Sequence, residues 1–226
     1  MVTRLLKRIA ARLPESSQHE LRRMFFHRQI ARRTFLTDEK EFLLLDRFLA
    51  PGDWVLDIGA NVGHYTLRMS DLVGPSGRVV ALEPVPSTFA LLASNVRVFP
   101  NANVSLLNVA ASDRTETLSM DIPRFSEGLR NYYQAHLTAD TTGLTILALP
   151  VDALALRSRI RLAKIDVEGH ELPVLRGMRQ LIERDRPVLI VETSAQPAMD
   201  LLASLGYSME RLPGSSNLLC HPDRST

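Results

Sequence analysis

Acidic side chains follow the short apolar runs in the central part of this 226-residue chain. Asp57, Glu83, Asp166 and Glu192 stand at the ends of four such runs. The carboxyl ends of parallel strands share one edge of a sheet, and ligands of open α/β sheets bind in the crevice beyond that edge. A full rim of carboxylates around one crevice is hard to explain by solubility alone, so the pattern predicts a binding site there.

A glycine-containing turn follows the first of these runs. Residues 55–67, VLDIGANVGHYTL, combine an apolar run, a turn with two glycines and the start of a helical pattern. This order brings backbone N–H groups close to a nucleotide-like ligand. A turn built for a pyrophosphate would gain nothing from Asp57, whereas a ligand with an ammonium group would. S-adenosylmethionine carries such a group.

Other interpretations of the turn remain open at this stage. A dinucleotide-binding dehydrogenase would carry Gly-x-Gly-x-x-Gly, which the chain lacks, and Asp57 would face a pyrophosphate unfavourably. Gly59 and Gly63 could merely permit a tight turn. Asn61 could cap the following helix as well as hold the loop near the cofactor.

Two motifs resemble known methyltransferases. Asp57-x-Gly59-x-Asn61-x-Gly63 resembles the first motif of class I S-adenosylmethionine-dependent methyltransferases, with Asn61 in place of the usual middle glycine. Residues 57–67 and 164–171, the latter reading KIDVEGHE, resemble the FkbM family of methyltransferases over roughly residues 53–195. This resemblance implies cofactor-binding roles for Asp57, Gly59, Asn61 and Gly63 (methionine portion), Glu83 (ribose hydroxyls), and Asn108 with Ser112 or Asp113 (adenine).

The predicted acceptor side contains Asp166, His170 and Glu171. Related methyltransferases place their reaction centre at the end of the fourth strand, where Asp166 lies. His170 is the nearby side chain whose ordinary pKa suits deprotonation of a hydroxyl at neutral pH. It could equally be a helix N-terminal residue without a catalytic role, and Glu171 could instead accept hydrogen bonds from loop amides.

Asp166 and Glu192 are also candidate metal ligands. They end adjacent predicted strands, and catechol-type methyltransferases resemble this arrangement, with oxygen ligands for Mg²⁺ at equivalent strand ends. The chain departs from that pattern, because Glu192 and Thr193 stand where a second Asp and an Asn would be expected. A divalent metal, which would lower the pKa of an acceptor hydroxyl, is therefore not the favoured interpretation.

Alternating strands and helices position these residues. Continuous apolar runs such as residues 188–191 indicate a sheet covered on both faces. The pattern predicts a three-layer α/β sandwich of the class I methyltransferase, Rossmann-like type, with a mostly parallel seven-stranded sheet and a C-terminal antiparallel hairpin. Strands are predicted at residues 54–58, 78–83, 104–109, 115–121, 162–167, 187–193, 207–211 and 217–220.

Residues 1–50 are predicted to be a basic helical arm or cap before a domain of residues 51–226. Residues 1–36 hold nine Lys and Arg against two Glu, whereas the net charge of the whole chain is +2. A helix is predicted over residues 18–33 with Leu21, Met24, Phe25 and Ile30 buried, and another from an N-cap at Thr37, with Asp38 and Glu39 in its first turn, to Leu49.

This basic arm has several possible roles. It could pack on the domain, form a homodimer, lie on an anionic membrane or act as an organellar transit peptide. Nucleic-acid binding is a weaker alternative, because no recognition motif accompanies the charge. The lone Cys220 argues against a disulfide framework, and no apolar run is long enough to span a membrane. We expect a cytoplasmic protein, with peripheral membrane contact through the arm as an open alternative.

Residues 122–149 are predicted to be an insertion on the substrate side. Tyr132, Tyr133 and His136 lie there and are candidate substrate contacts, although a disordered insertion fits equally well. Together the residues predict O-methylation of a hydroxyl on a small molecule, and the FkbM resemblance suggests a sugar, polyketide or related metabolite. A nitrogen acceptor is one alternative, and a non-catalytic cofactor-binding module in a biosynthetic assembly is another.

Overall fold

The computed structural model describes residues 13–123, 136–138 and 143–223. Its strands are β1 (Trp54–Ile58), β2 (Arg78–Leu82), β3 (Val104–Leu107), β4 (Ala110–Ala111), β5 (Glu116–Asp121), β6 (His136–Thr138), β7 (Leu144–Leu149), β8 (Ile160–Ile165), β9 (Val188–Glu192), β10 (Tyr207–Glu210) and β11 (Asn217–Pro222). Its helices are α1 (Glu15–Ala31), α2 (Lys40–Leu43), α3 (His64–Val73), α4 (Pro86–Val96), α5 (Glu171–Gly177), α6 (Arg179–Asp185) and α7 (Gln196–Ser204), with short 3₁₀ helices at Leu45–Arg47 and Val151–Leu154.

The main sheet has seven strands in the order β10-β11-β9-β8-β1-β2-β3. Its pairs are parallel except that β11 runs antiparallel to both β9 and β10. The predicted mostly parallel sheet with a C-terminal hairpin is therefore confirmed. After β1 the chain adds β2 and then β3 on one side of β1, and it later adds β8 on the opposite side of β1. The carboxyl ends of β1 and β8 thus form the switch point where ligands of such sheets bind.

Both faces of this sheet are covered, because alternate residues of each strand point to opposite sides. On one face, apolar side chains of β1, β8 and β9 pack against α5, α6 and α7 in a core that includes Leu56, Ile165, Leu175, Ile182 and Leu202. On the other face, the alternate positions pack against α2 and α3 in a core that includes Val55, Leu162, Ile190, Phe42 and Met69.

A second sheet has four strands in the order β4-β7-β5-β6. The strand predicted at residues 104–109 ends at Leu107, earlier than expected. Ala110–Ala111 instead pairs with β7 of this second sheet. The predicted insertion at 122–149 supplies β6 and β7 to this sheet. Of its candidate substrate residues, Tyr132 and Tyr133 lie outside the described residues, whereas His136 is described only as a backbone position paired with Asp121.

The N-terminal segment packs on the domain through α1, as far as the described residues show. Phe26 and Ile30 join Val62 and Leu91 in a common apolar cluster. The predicted buried stripe is wrong at three positions, since Leu21, Met24 and Phe25 are 46%, 50% and 57% exposed. The helix carries two apolar stripes at helical spacing, and contact with α4 selects the one that contains Phe26 and Ile30.

The predicted helix from Thr37 to Leu49 is also corrected. Two short helical pieces replace it, and the hydroxyl of Thr37 donates to Glu39 Oε1 at 3.2 Å instead of capping a helix. Residues 1–12, which hold part of the basic arm, lie outside the described residues. Among the described helices, none combines the length and apolar character needed to cross a membrane.

Candidate active site

A cavity of about 240 Å³ lies beyond the carboxyl ends of the central strands. Glu83 follows β2, Gly59 follows β1, Asp166 follows β8 and Glu192 ends β9, and all four line it. Residues of the second sheet, of the segment before it and of the loops after β2 and β8 also line the cavity, among them Val85, Val109, Ala110, Ala111, Met120, Val167 and Glu168. The cavity therefore occupies the position predicted for the ligand crevice.

The structure brings together some of the predicted site residues but not all. The cavity is lined by Gly59, Asn61, Glu83, Asp166, His170 and Glu192. Among the described residues, the predicted ones that do not line it are Asp57, Gly63, Asn108, Ser112, Asp113 and Glu171. Their roles in cofactor binding and catalysis stay predictions, and their contacts indicate what each contributes.

The glycine turn fits closely against neighbouring strand ends. Gly59 has φ 79°, and a Cβ atom added there would lie 1.8 Å from the carbonyl oxygen of Asp166. Only glycine allows the end of β1 to approach the end of β8 this closely. Asn61 is also in the left-handed region, with φ 50°. Its backbone N–H donates to Glu83 Oε2 at 2.9 Å, which joins the turn to the end of β2.

The carboxylate of Glu83 is fixed by backbone donors on both oxygens. Oε1 accepts from the N–H of Val85 at 2.9 Å, and Oε2 accepts from Asn61. Burial raises the pKa of Glu83 to about 7, although these two N–H groups act in the opposite direction. The amide of Asn108 donates to the backbone oxygens of Glu83 at 2.8 Å and Pro84 at 3.0 Å. Asn108 therefore supports the loop that carries Glu83.

Asp57 of β1 and Lys164 of β8 are paired positions in the main sheet, and both are buried. Asp57 is fully buried, its Oδ2 accepts from the hydroxyl of Thr66 at 2.5 Å, and its Oδ1 has no hydrogen-bond partner among the described residues. The ammonium of Lys164 lies 2.8 Å from Asp166 Oδ2. Burial acts to lower the pKa of Lys164, but the carboxylates of Asp166 and Asp57 outweigh it, so the pKa is raised. Lys164 is therefore a cation at neutral pH and holds Asp166 in place.

His170 lies at the cavity wall and is bound to a buried serine. Its Nε2 atom is 2.9 Å from the Oγ atom of Ser112, which is 1% exposed. Burial lowers the pKa of His170, while Asp113 and Glu116 act in the opposite direction. The imidazole is therefore neutral at pH 7, the form that can accept a proton.

Glu171 supports the loop after β8. Its Oε1 accepts from the N–H of Gly169 at 2.7 Å, and its Oε2 accepts from the hydroxyl of Thr193 at 3.4 Å. The side chain is 3% exposed and does not line the cavity. These contacts match the alternative interpretation, in which Glu171 accepts hydrogen bonds from the loop.

The two candidate metal ligands do not fit a divalent cation. One of them, Asp166, already binds the ammonium of Lys164. Burial and the neighbouring Asp166 carboxylate raise the pKa of the other, Glu192, and so favour its protonated form. Within the described residues, no group of three or more His, Cys, Asp or Glu side chains is arranged to hold a metal ion.

Glu39 lines the cavity although no site role is predicted for it. Its Oε2 accepts from the hydroxyl of Tyr65 at 2.8 Å and from the amide of Asn217 at 3.0 Å. With Glu39 included, the lining carries five carboxyl side chains: Glu39, Glu83, Asp166, Glu168 and Glu192. Such a lining suits a ligand with positive charge and hydrogen-bond donors.

Comparisons with known proteins agree with this arrangement. The family model described as Methyltransferase FkbM domain matches residues 57–209. Hexuronic acid methyltransferase AglP from Haloferax volcanii is 27% identical over 141 residues, which are 61% of this chain and 55% of that protein. Methyltransferase FkbM from Methylobacillus flagellatus KT has a similar fold, with a TM-score of 0.54 and 18% identity over 75% of this chain and 43% of that chain.

A third comparison concerns Aeropyrum pernix fibrillarin in complex with S-adenosyl-L-methionine, at a TM-score of 0.50 and 16% identity over 80% of this chain and 73% of that chain. The two structural likenesses establish the class I methyltransferase fold. The chain spans about half the length of AglP and of the Methylobacillus protein, at 55% and 43%. Since the family model matches more than half of its residues, the chain belongs to the FkbM methyltransferase domain family.

Proposed function

We propose that this chain is an enzyme that transfers the methyl group of S-adenosylmethionine to a hydroxyl oxygen of a sugar or a related small molecule. The observation that carries the proposal is the buried Glu83 carboxylate, fixed by two backbone N–H groups on the wall of the strand-end cavity. Membership of the FkbM domain family supports the reaction type. The name of the Haloferax relative, a hexuronic acid methyltransferase, supports a sugar as the acceptor.

The residues of the cavity fit S-adenosylmethionine. Each oxygen of a carboxylate offers about two acceptor sites. One site on each Glu83 oxygen is used by a backbone N–H, so both oxygens can still accept from a vicinal diol such as that of ribose. Val85, Val109 and Met120 supply apolar surface for a base. When bound, the cofactor supplies a methyl group on a positively charged sulfur, which a nucleophile attacks in line.

The acceptor side lies at the loop after β8 in this proposal. Asp166, held by Lys164, accepts a hydrogen bond from the acceptor hydroxyl and orients it. In the tautomer that this proposal requires, His170 carries its hydrogen on Nε2 and donates to Ser112, so the lone pair of Nδ1 takes the hydroxyl proton. Because methyl transfer is a direct displacement, correct positioning of the acceptor supplies most of the acceleration.

A methyl-transfer assay with a defined acceptor panel tests this function. The protein is incubated with methyl-labelled S-adenosylmethionine and glycosides of glucuronic acid, glucose and glucosamine, and products are identified by mass spectrometry. We expect methyl ethers from the wild type and loss of product in Asp166→Asn, with S-adenosylhomocysteine binding retained. Product formed only on the amino group would support the nitrogen alternative. A protein that binds cofactor but yields no product with any acceptor, including an extract of small metabolites, would support the non-catalytic module.

A further inference from the structure

We propose that Glu39 binds the α-ammonium group at the amino-acid end of S-adenosylmethionine. This inference rests on the proposed function and deepens it. It assigns a ligand contact to the segment between α1 and α2, which lies outside residues 57–209, the range that the family model matches. The N-terminal segment would then complete the cofactor site in addition to packing on the domain.

The Glu39 carboxylate is held in place by three neutral donors. The phenol of Tyr65 and the amide of Asn217 donate to Oε2 at 2.8 and 3.0 Å, and the hydroxyl of Thr37 donates to Oε1 at 3.2 Å. These three donors are uncharged and orient the carboxylate, and the neighbouring cation is the buried ammonium of Lys164, whose pKa Glu39 helps to raise. A fixed, charged acceptor on a cavity wall matches the geometry that recognises a cation through charge-assisted hydrogen bonds.

The position of Glu39 relative to Glu83 indicates which part of the cofactor it meets. Tyr65 lies in the first turn of α3, directly after the glycine turn, and Asn217 of β11 pairs with Glu192 of β9. Glu39 therefore lies on the β8 and β9 side of β1, whereas Glu83 follows β2 on the other side. A cofactor with its ribose on Glu83 that extends across the glycine turn brings its amino-acid end toward Glu39.

The chemistry of the surrounding wall favours an ammonium as the group bound. An ammonium offers three N–H donors and no acceptor, so it suits the carboxylate that Glu39 presents at the cavity wall. The sulfonium of the cofactor carries no N–H donor, and S-adenosylhomocysteine lacks the sulfonium but keeps the ammonium. The two contacts can therefore be separated by choice of ligand.

Calorimetric titrations of wild type and Glu39→Gln test the assignment. The ligands are S-adenosylhomocysteine and 5′-methylthioadenosine, which keeps the adenosine but lacks the amino-acid end. Loss of a charge-assisted hydrogen bond predicts about tenfold or greater weakening for S-adenosylhomocysteine. Binding of 5′-methylthioadenosine should change by less than about twofold. Unchanged binding of S-adenosylhomocysteine, or equal weakening of both ligands, would overturn the proposal.

Two further variants serve as controls, one for net charge and one for a folding defect in Glu39→Gln. Glu183→Gln removes one negative charge from an exposed helix position that pairs with Arg179, so it controls for net charge. Tyr65→Phe keeps the packing against Phe42 but removes one donor to Glu39. We expect Tyr65→Phe to weaken binding of S-adenosylhomocysteine more than binding of 5′-methylthioadenosine. This variant therefore tests the proposal if Glu39→Gln does not fold. A folded wild type that binds neither ligand would instead refute the proposed function.

Discussion

The Oγ atom of Ser112 lies 2.9 Å from the Nε2 atom of His170 at the wall of the strand-end cavity. Ser112 follows β4 of the second sheet, and its backbone N–H donates to Leu149 of β7 at 3.0 Å. His170 directly precedes α5, so this hydrogen bond joins the end of β4 to the start of α5 beside the predicted acceptor. The second sheet thereby helps to orient the imidazole that we propose as the base.

His170→Gln should reduce kcat by about 10²-fold or more, the ordinary contribution of a general base, while S-adenosylhomocysteine affinity stays unchanged. Because burial lowers the pKa of His170, kcat of the wild type should fall on acidification with a midpoint below the ordinary value of 6.5. The pH profile of single-turnover rates measures both effects. A pH-independent rate that the substitution leaves intact would show that His170 has only a structural role.

Gly59→Ala should destabilise the protein by about 3 kcal/mol or more, because strain from a positive φ adds to a collision with the end of β8. Gly214→Ala is a matched control, since Gly214 has φ 77° against 79° for Gly59, but a Cβ there meets no atom within 4 Å. Gly214→Ala should lower the free energy of unfolding by only about 1–2 kcal/mol. Chemical denaturation measures the two losses, and equal values would contradict the close approach of Gly59 to Asp166.

The predictable part of this fold is local in sequence. The boundaries of β1 coincide with its apolar run, Trp54–Ile58. The run after residue 104 also looks continuous, but Asn108 turns toward Glu83 and Pro84, and Ala110–Ala111 joins the other sheet. That change depends on contacts with distant strands, which a pattern of apolar residues does not reveal.

The candidate site shows the same limit. The acidic strand ends and the glycine turn follow from motif and spacing, so Glu83 and Asp166 could be predicted. Glu39 could not, because its partners Tyr65 and Asn217 are 26 and 178 residues away in the sequence. Lys164 stands in a buried strand where an apolar residue is expected, and its ion pair with Asp166 and the nearby carboxylate of Asp57 explain it. Non-local ion pairs and hydrogen bonds therefore complete the site.

The stability of the protein should depend on pH through His64. Burial lowers the pKa of His64 to about 4 from an ordinary value of 6.5, so the unfolded chain binds more protons between these values. The contribution of neutral His64 is complete above the unfolded pKa and is lost as the pH falls through the folded pKa. It amounts to at most about 3 kcal/mol.

His64→Phe keeps the aromatic contact with Phe35 and removes the titration. Urea denaturation of both proteins between about pH 7 and pH 4 measures the difference in the free energy of unfolding. We expect wild type to lose stability relative to the variant on acidification. The comparison is needed because Asp57, Glu83 and Glu192 have raised pKa values and act in the opposite direction. A difference that does not vary with pH would contradict the half-buried, neutral state of His64.

Methyl transfer should persist in excess chelator. Asp166 is bound to Lys164, and burial favours protonation of Glu192, so the pair makes a poor site for a hard cation. We expect initial rates with and without EDTA to agree within about twofold. Activity that disappears on chelation and returns with Mg²⁺ would contradict this account of the acceptor side.

Titration of the purified protein with S-adenosylhomocysteine tests the central claim most directly, in wild type and in Glu83→Gln. The substitution replaces the carboxylate that we propose to accept from both ribose hydroxyls with an amide of similar size. Glu183→Gln serves again as the surface control. We expect one bound ligand per chain in wild type and in the control, and about tenfold or greater weakening in Glu83→Gln. Absence of binding by the folded wild type, or equal affinity in Glu83→Gln, would contradict the assignment of this cavity to S-adenosylmethionine.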